Sequence, residues 1–207
     1  MLDRVTKRYG RGAAVIEALS VAFRPGTATG LVGPNGSGKT TLLRLLTALS
    51  YPTDGAVTYG DLDIHAHPHR YLRHVGVVHD EAELPDHLTA VEVLEWVLRA
   101  RDRWDDGAPE RIAGLLDAVR LDERRENLIG TYSSGMRRKT QIAAALVAGP
   151  AVLLMDEPLR GLDTESTKAV LGLLRAFKQS GGTILLSSHL HASLGTLVDA
   201  TLDLGKR

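Results

Sequence analysis

No cysteine occurs among the 207 residues, so the chain forms neither a disulfide nor a thiolate metal site, a composition suited to a reducing compartment. It also lacks an excess of charge of either sign: 25 lysines and arginines stand against 25 aspartates and glutamates. Without a basic field there is no electrostatic footprint for nucleic acid, and no such partner is expected. Long apolar runs are missing too. The strongest, at residues 143–148 and 151–155, fall far short of the ~20 residues that a membrane-spanning helix needs. The opening Met1-Leu2-Asp3-Arg4 does not read as an export signal. A cytoplasmic location is therefore expected, and any work at a membrane requires another chain as the anchor.

What is present reads as a single α/β domain over residues 1–207, with 43% apolar and 24% charged residues. Between Leu2 and Phe23 short apolar and β-branched runs alternate with polar residues, which predicts two or three antiparallel strands in a small N-terminal β-lobe. Continuous apolar runs at 28–32, 75–78, 151–155 and 183–186 suit strands of a mainly parallel sheet covered on both faces. A helix is expected over 39–49 with Leu42, Leu45, Leu46 and Leu49 on one face. Thr89-Ala90-Val91-Glu92 has the form of a capping box opening a helix with Val91, Leu94, Val97 and Leu98 inward, and a second helix follows around Ile112, Leu115, Leu116 and Val119. Residues 82–135 or so thus form an inserted helical subdomain, between core segments at about 1–81 and 136–207.

The chemistry concentrates in two places. Gly33-Pro34-Asn35-Gly36-Ser37-Gly38-Lys39-Thr40 matches the P-loop pattern and sits where that motif must, between a strand and a helix. Its glycines let backbone N–H groups curl toward phosphate at the positive end of the helix, with Thr41 following in the same turn. Lys39 is placed to neutralise the β- and γ-phosphates of ATP, and the Thr40 hydroxyl to coordinate Mg²⁺. The second place is the strand ending in Asp156-Glu157, which delivers two carboxylates to the sheet edge where α/β folds bind ligands. Alone, such a pair is more often a helix cap. After a P-loop, Asp156 reads as a holder of the Mg²⁺ shell and Glu157 as the group that polarises an attacking water.

With these motifs the sequence resembles the ABC ATPases along essentially its whole length. Tyr132-Ser133-Ser134-Gly135-Met136 is similar to that family's signature, Leu-Ser-Gly-Gly-Gln. The resemblance implies that Ser133, Ser134 and Gly135 open a helix and contact the γ-phosphate held by a second protomer. Gly161-Leu162-Asp163 is similar to the family's D-loop, placing Asp163 near nucleotide. Ser188-His189 is similar to its switch histidine, which makes His189 a second catalytic residue, and Tyr9 corresponds to the aromatic that stacks on adenine. Asp80 stands where the family usually has glutamine in the loop that reaches Mg²⁺; a shorter carboxylate reaches less far. Ser134 adds a side chain in place of a signature glycine, and Met136 replaces the terminal glutamine.

The implied function is that of the ATP-binding and hydrolysing subunit of a transporter. It pairs as a homodimer or heterodimer with a second ABC ATPase and drives a separate transmembrane permease, peripheral on the inner face of the membrane. The signature and residues 80–89 look most like bacterial ABC-2-type exporters of drugs, antibiotics or polysaccharides. The chain ends at Arg207, and no appended regulatory domain is expected. Two other classes compete: a soluble ABC ATPase acting on ribosomes or DNA, and a small-molecule kinase on a P-loop fold. Two further clusters are read as unremarkable. His65, His67 and His69 are taken as a solvated stretch rather than a metal site, and Arg137-Arg138-Lys139 as facing solvent or a partner.

Overall fold

The computed structural model describes residues 1–80, 83–188, 195 and 197–205, which build two sheets. β1 (Leu2–Arg8) and β2 (Ala14–Val21) pair antiparallel. Leu2 and Val5 are buried, and the two exposed residues between them mark a bulge, where Arg4 takes φ 44° and the register shifts. This lobe is not confined to the N-terminal stretch. β4 (Asp54–Tyr59) and β5 (Leu62–Asp63) complete it in the order β2-β1-β4-β5.

The second sheet is parallel, in the order β6-β7-β8-β3-β9, from β3 (Ala28–Val32), β6 (Val75–Val78), β7 (Val152–Met155), β8 (Thr183–Ser187) and β9 (Ala200–Asp203). The first four match the expected apolar runs to within a residue. β8 separates β7 from β3, so the loops leaving β3 and β7 emerge on either side of β8 at one sheet edge.

Six α-helices follow among the described residues, of which α3 and α4 pack on other helices rather than on a sheet: α1 (Lys39–Leu46), α2 (Pro68–Leu72), α3 (Ala90–Ala100), α4 (Ala108–Ala118), α5 (Ser134–Val147) and α6 (Thr164–Gln179). α1 stops earlier than its leucine pattern predicts. The Thr47 hydroxyl donates back to the Leu43 carbonyl and Ala48 takes φ 55°, so the chain turns away and Leu49 is left exposed. The capping box at Thr89 is present in full: its hydroxyl accepts from the Glu92 N–H and its own N–H donates to the Glu92 carboxylate. Ala90, Val93, Leu94 and Leu98 face inward on α3, with Val91 and Val97 only partly buried.

Three apolar clusters result. One lies between β7 and β8 on one side and α5 and α6 on the other, around Leu153, Ile184, Ile142 and Leu174. A second joins the other face of the sheet to α1 and the antiparallel lobe, through Leu154, Leu185, Leu42 and Val5. The third holds α3, α4 and α5 together through Leu98, Leu116 and Val147. Each fully buried leucine contributes about 1.5–3 kcal/mol. α5 belongs to two of these clusters. It lies so close to β6 that a Cβ on Gly76 would stand 2.1 Å from the Ala145 carbonyl oxygen.

Candidate active site

The glycine loop leaves β3 at Val32 and enters α1 at Lys39 in a conformation that demands glycine. Gly33 has φ 141°, and a Cβ there would fall 2.6 Å from Ser37 Oγ; Gly38 has φ 97° and is the N-cap of α1. No side chain caps this helix and no acidic residue lies in its first turn, so its N-terminal N–H groups remain directed at the loop's interior, where an anion fits. The buried Lys39 curls over the loop, its ammonium donating to the carbonyls of Gly33 at 2.7 Å and Pro34 at 3.0 Å.

Across the sheet edge the Thr40 hydroxyl donates to Asp156 Oδ2 at 2.8 Å, a bond that spans 116 residues of sequence. The other Asp156 oxygen accepts from the fully buried Ser187 Oγ. Ser187 in turn accepts the Glu157 N–H at 3.0 Å, and Glu157 itself holds φ 48°, a left-handed conformation that a non-glycine residue keeps only when its surroundings fix it. Asn35, Gly36, Lys39, Thr40, Thr41, Asp80, Asp156 and Glu157 border one cleft of about 1020 Å³. Thr40 and Asp156 supply hard oxygen donors side by side, which fits a Mg²⁺ ion that takes its remaining ligands from water and phosphate.

Asp80 lines this cleft, but it is engaged differently from the metal role expected of it. Its Oδ1 accepts from Arg138 and its Oδ2 from Arg160. Both of its oxygens are thus engaged by charged partners. The same contacts correct the reading of the basic trio. Arg138 and Lys139 are buried; Lys139 donates to the Arg120 carbonyl at 2.8 Å, and burial lowers its pKa. Arg137 pairs with Asp86 at 2.7 Å. Arg138 and Lys139 thus face the protein, whereas Arg137 stays at the surface in its pair with the exposed Asp86.

Ser133, Ser134 and Gly135 are not among the cleft-lining residues, although Gly135 reaches the turn that follows Arg160. Ser133 caps α5, its hydroxyl accepting from the Met136 N–H at 3.2 Å; Ser134 is exposed, and Tyr132 is buried with its hydroxyl donating to the Arg124 carbonyl. A Cβ on Gly135 would stand 2.8 Å from the Gly161 carbonyl oxygen, so this segment and the D-loop-like turn touch within one chain. Asp163 caps α6, accepting from both the N–H and the hydroxyl of Ser166, and these bonds hold its carboxyl below the usual range. Tyr9 falls just beyond β1 rather than within a strand. It is half exposed, with Lys7 Nζ 4.9 Å from its ring centre, and it is not among the cleft-lining residues, whereas Val15 of β2 is. His189 lies outside the described residues. His65 bonds Ser50 O at 3.0 Å and packs against Tyr51, and a short helix begins at Pro68 where a solvated stretch was expected.

Sequence reasoning missed Ser187, Arg160 and Arg44. The only sequence signal for Ser187 was its place directly before Ser188-His189; nothing in the sequence pointed to Arg160 or Arg44, both of which border the cleft.

The profile of a protein family described as ABC transporter matches residues 16–160. The chain belongs to the ABC transporter family. The matched span runs from β2 through the glycine loop and α5 to the carboxylates after β7. Among curated relatives, the chain is 35% identical over 100% of its length to Nod factor export ATP-binding protein I of Ralstonia nicotianae. It is 34% identical over 94% of its length to daunorubicin/doxorubicin resistance ATP-binding protein DrrA of Streptomyces peucetius. It is 32% identical over 95% of its length to linearmycin resistance ATP-binding protein LnrL of Bacillus subtilis strain 168. The chain spans 64%, 60% and 63% of the length of these three ABC proteins. Solved structures agree in fold. The ATP-binding subunit of an ABC transporter superposes with a TM-score of 0.91 at 27% identity, over 99% of this chain and 85% of that one. A dimeric ATP-binding cassette in a post-hydrolysis state with ADP and Pi gives 0.86 at 26%, over 99% and 93%.

Proposed function

We propose that this chain is the ATP-binding and hydrolysing subunit of an exporter, acting through a separate membrane permease on the inner face of the membrane. The observation that carries the reading is the Thr40–Asp156 bond, which joins the glycine loop to the β7 carboxylates beside an uncapped helix N-terminus. The exporter assignment rests on the relatives named for Nod factor export and drug resistance.

In this reading the N–H groups of residues 33–41 and the Lys39 ammonium cradle the ATP phosphates, and Lys39 exchanges its loop carbonyls for phosphate oxygens. Thr40 and Asp156 hold Mg²⁺, which when bound supplies positive charge to the β- and γ-phosphates. Glu157 orients the attacking water and takes up its proton, while Ser187 keeps both carboxylate residues in register. The exposed Ser133 and Ser134, with the partly buried Gly135, are not among the cleft-lining residues and serve a γ-phosphate held by a second ATPase chain, either identical or related. Asp163 contributes at the same junction, Tyr9 stacks on adenine and His189 contacts the γ-phosphate. Residues 82–135 form the helical subdomain that faces the permease.

Comparing wild type with Glu157→Gln tests this. Wild type is expected to hydrolyse ATP, and the variant to accumulate as an ATP-bound dimer in size-exclusion chromatography. A wild-type chain that does not bind MgATP at millimolar concentration overturns the reading.

A further inference from the structure

We propose that Arg160 is a phosphate ligand for the nucleotide, held in reserve by Asp80, so that Asp80 acts as a latch on nucleotide affinity. The inference rests on the ATP-binding reading above. Asp80 holds two guanidinium groups, one on each carboxylate oxygen, and the two are not equivalent. The Arg138 side chain is 9% exposed, rooted in α5, and also reaches the His79 carbonyl. The Arg160 side chain is 68% exposed, stands on the loop after β7, and borders the cleft with Lys39, Thr40 and Glu157.

The asymmetry decides which pair yields. An ion pair with one well-solvated partner is screened and weakly held, whereas a buried guanidinium that loses its carboxylate is left uncompensated. A triphosphate brings several negative charges to the cleft and offers planar, two-point acceptance that a guanidinium matches well. Arg160 therefore exchanges Asp80 for phosphate, and Asp80 keeps Arg138. Until the exchange, Asp80 occupies the Arg160 guanidinium and so works against nucleotide binding.

The latch predicts effects of opposite sign for its two halves. Titration calorimetry with MgATP, on wild type, Arg160→Gln, Arg160→Lys, Asp80→Asn and the double variant, measures them. Arg160→Gln is expected to raise the Kd about tenfold, the size of one lost charged phosphate contact. Arg160→Lys should recover part of that loss. Asp80→Asn is expected to tighten binding severalfold, and the double variant to resemble Arg160→Gln. If Arg160→Gln leaves the Kd unchanged, or if both single variants weaken binding alike, the pair is a structural brace and the proposal falls. Should Asp80→Asn fail to fold because Arg138 loses its partner, the two Arg160 variants alone decide. Failure of wild type to bind MgATP counts against the ATP-binding reading instead.

Discussion

Ser187 shows how much one hydroxyl can organise. It donates to Asp156, accepts from Glu157, and is wholly buried. Ser187→Ala leaves a carboxylate oxygen and a strained residue's N–H without that partner, a loss of about 1–3 kcal/mol. Urea unfolding should show this decrease, and steady-state kinetics should show kcat falling by more than tenfold with KM for ATP little changed. Valine at 187, which removes the hydroxyl and adds bulk, should do worse on both counts. The meeting of Thr40 with Asp156 and the place of Lys39 in the glycine loop were legible from spacing, because phosphate and metal chemistry tolerate few residue types in such motifs. Ser187 and Arg160 were not, because their importance comes from which strand ends lie side by side, a tertiary fact without local periodicity.

At the scale of elements, local chemistry again decided what could be read. The capping box at Thr89 is complete within four residues, and Thr89→Ala should cost about 1 kcal/mol, seen as a lower melting temperature with ATP binding intact. Four of the five strands of the parallel sheet were readable because burial on both faces leaves continuous apolar runs; β9, mostly exposed at the sheet edge, carries no such run and was not foreseen. The end of α1 was not, since the Thr47 back-bond and the turn at Ala48 override a leucine spacing that continues to Leu49. The burial of Arg138 and Lys139 was also hidden: which face of α5 is covered depends on Asp80 and Arg120, far away in sequence. Gly76 belongs here as well. Replacing it with alanine drives a methyl into the Ala145 carbonyl with neither backbone able to retreat, so Gly76→Ala should destabilise by about 1–3 kcal/mol or more and reduce soluble yield.

Across the whole molecule, pH provides a probe of how the last described strand is tied down. The Ala28 N–H, and after it Lys178, hold the Asp199 carboxyl below its ordinary value. The folded chain thus binds this proton less readily than the unfolded one. The stabilisation is complete above the unfolded value of about 3.9 and is lost as pH falls through the depressed folded value. Melting temperatures of wild type should therefore drop more steeply than those of Asp199→Asn as the pH is lowered from about 5 to about 2.5. A parallel decline in the two proteins would mean that Asp199 contributes nothing to acid sensitivity.

The near-contact of Gly76 with Ala145 also gives α5 a mechanical character. The helix is seated against β6 close to its C-terminal end, while the serines that begin it stand exposed at the other. From Ala145 to Ser134 the helix runs about 16 Å at 1.5 Å per residue, so a rigid tilt of about 5°, shared with α3 and α4 packed on it, carries its tip about 1.4 Å. That is the difference between a hydrogen bond and none. A pivot with no side chain between its two surfaces leaves little slack, so a small rotation at the sheet becomes a making or breaking of contact at the far tip.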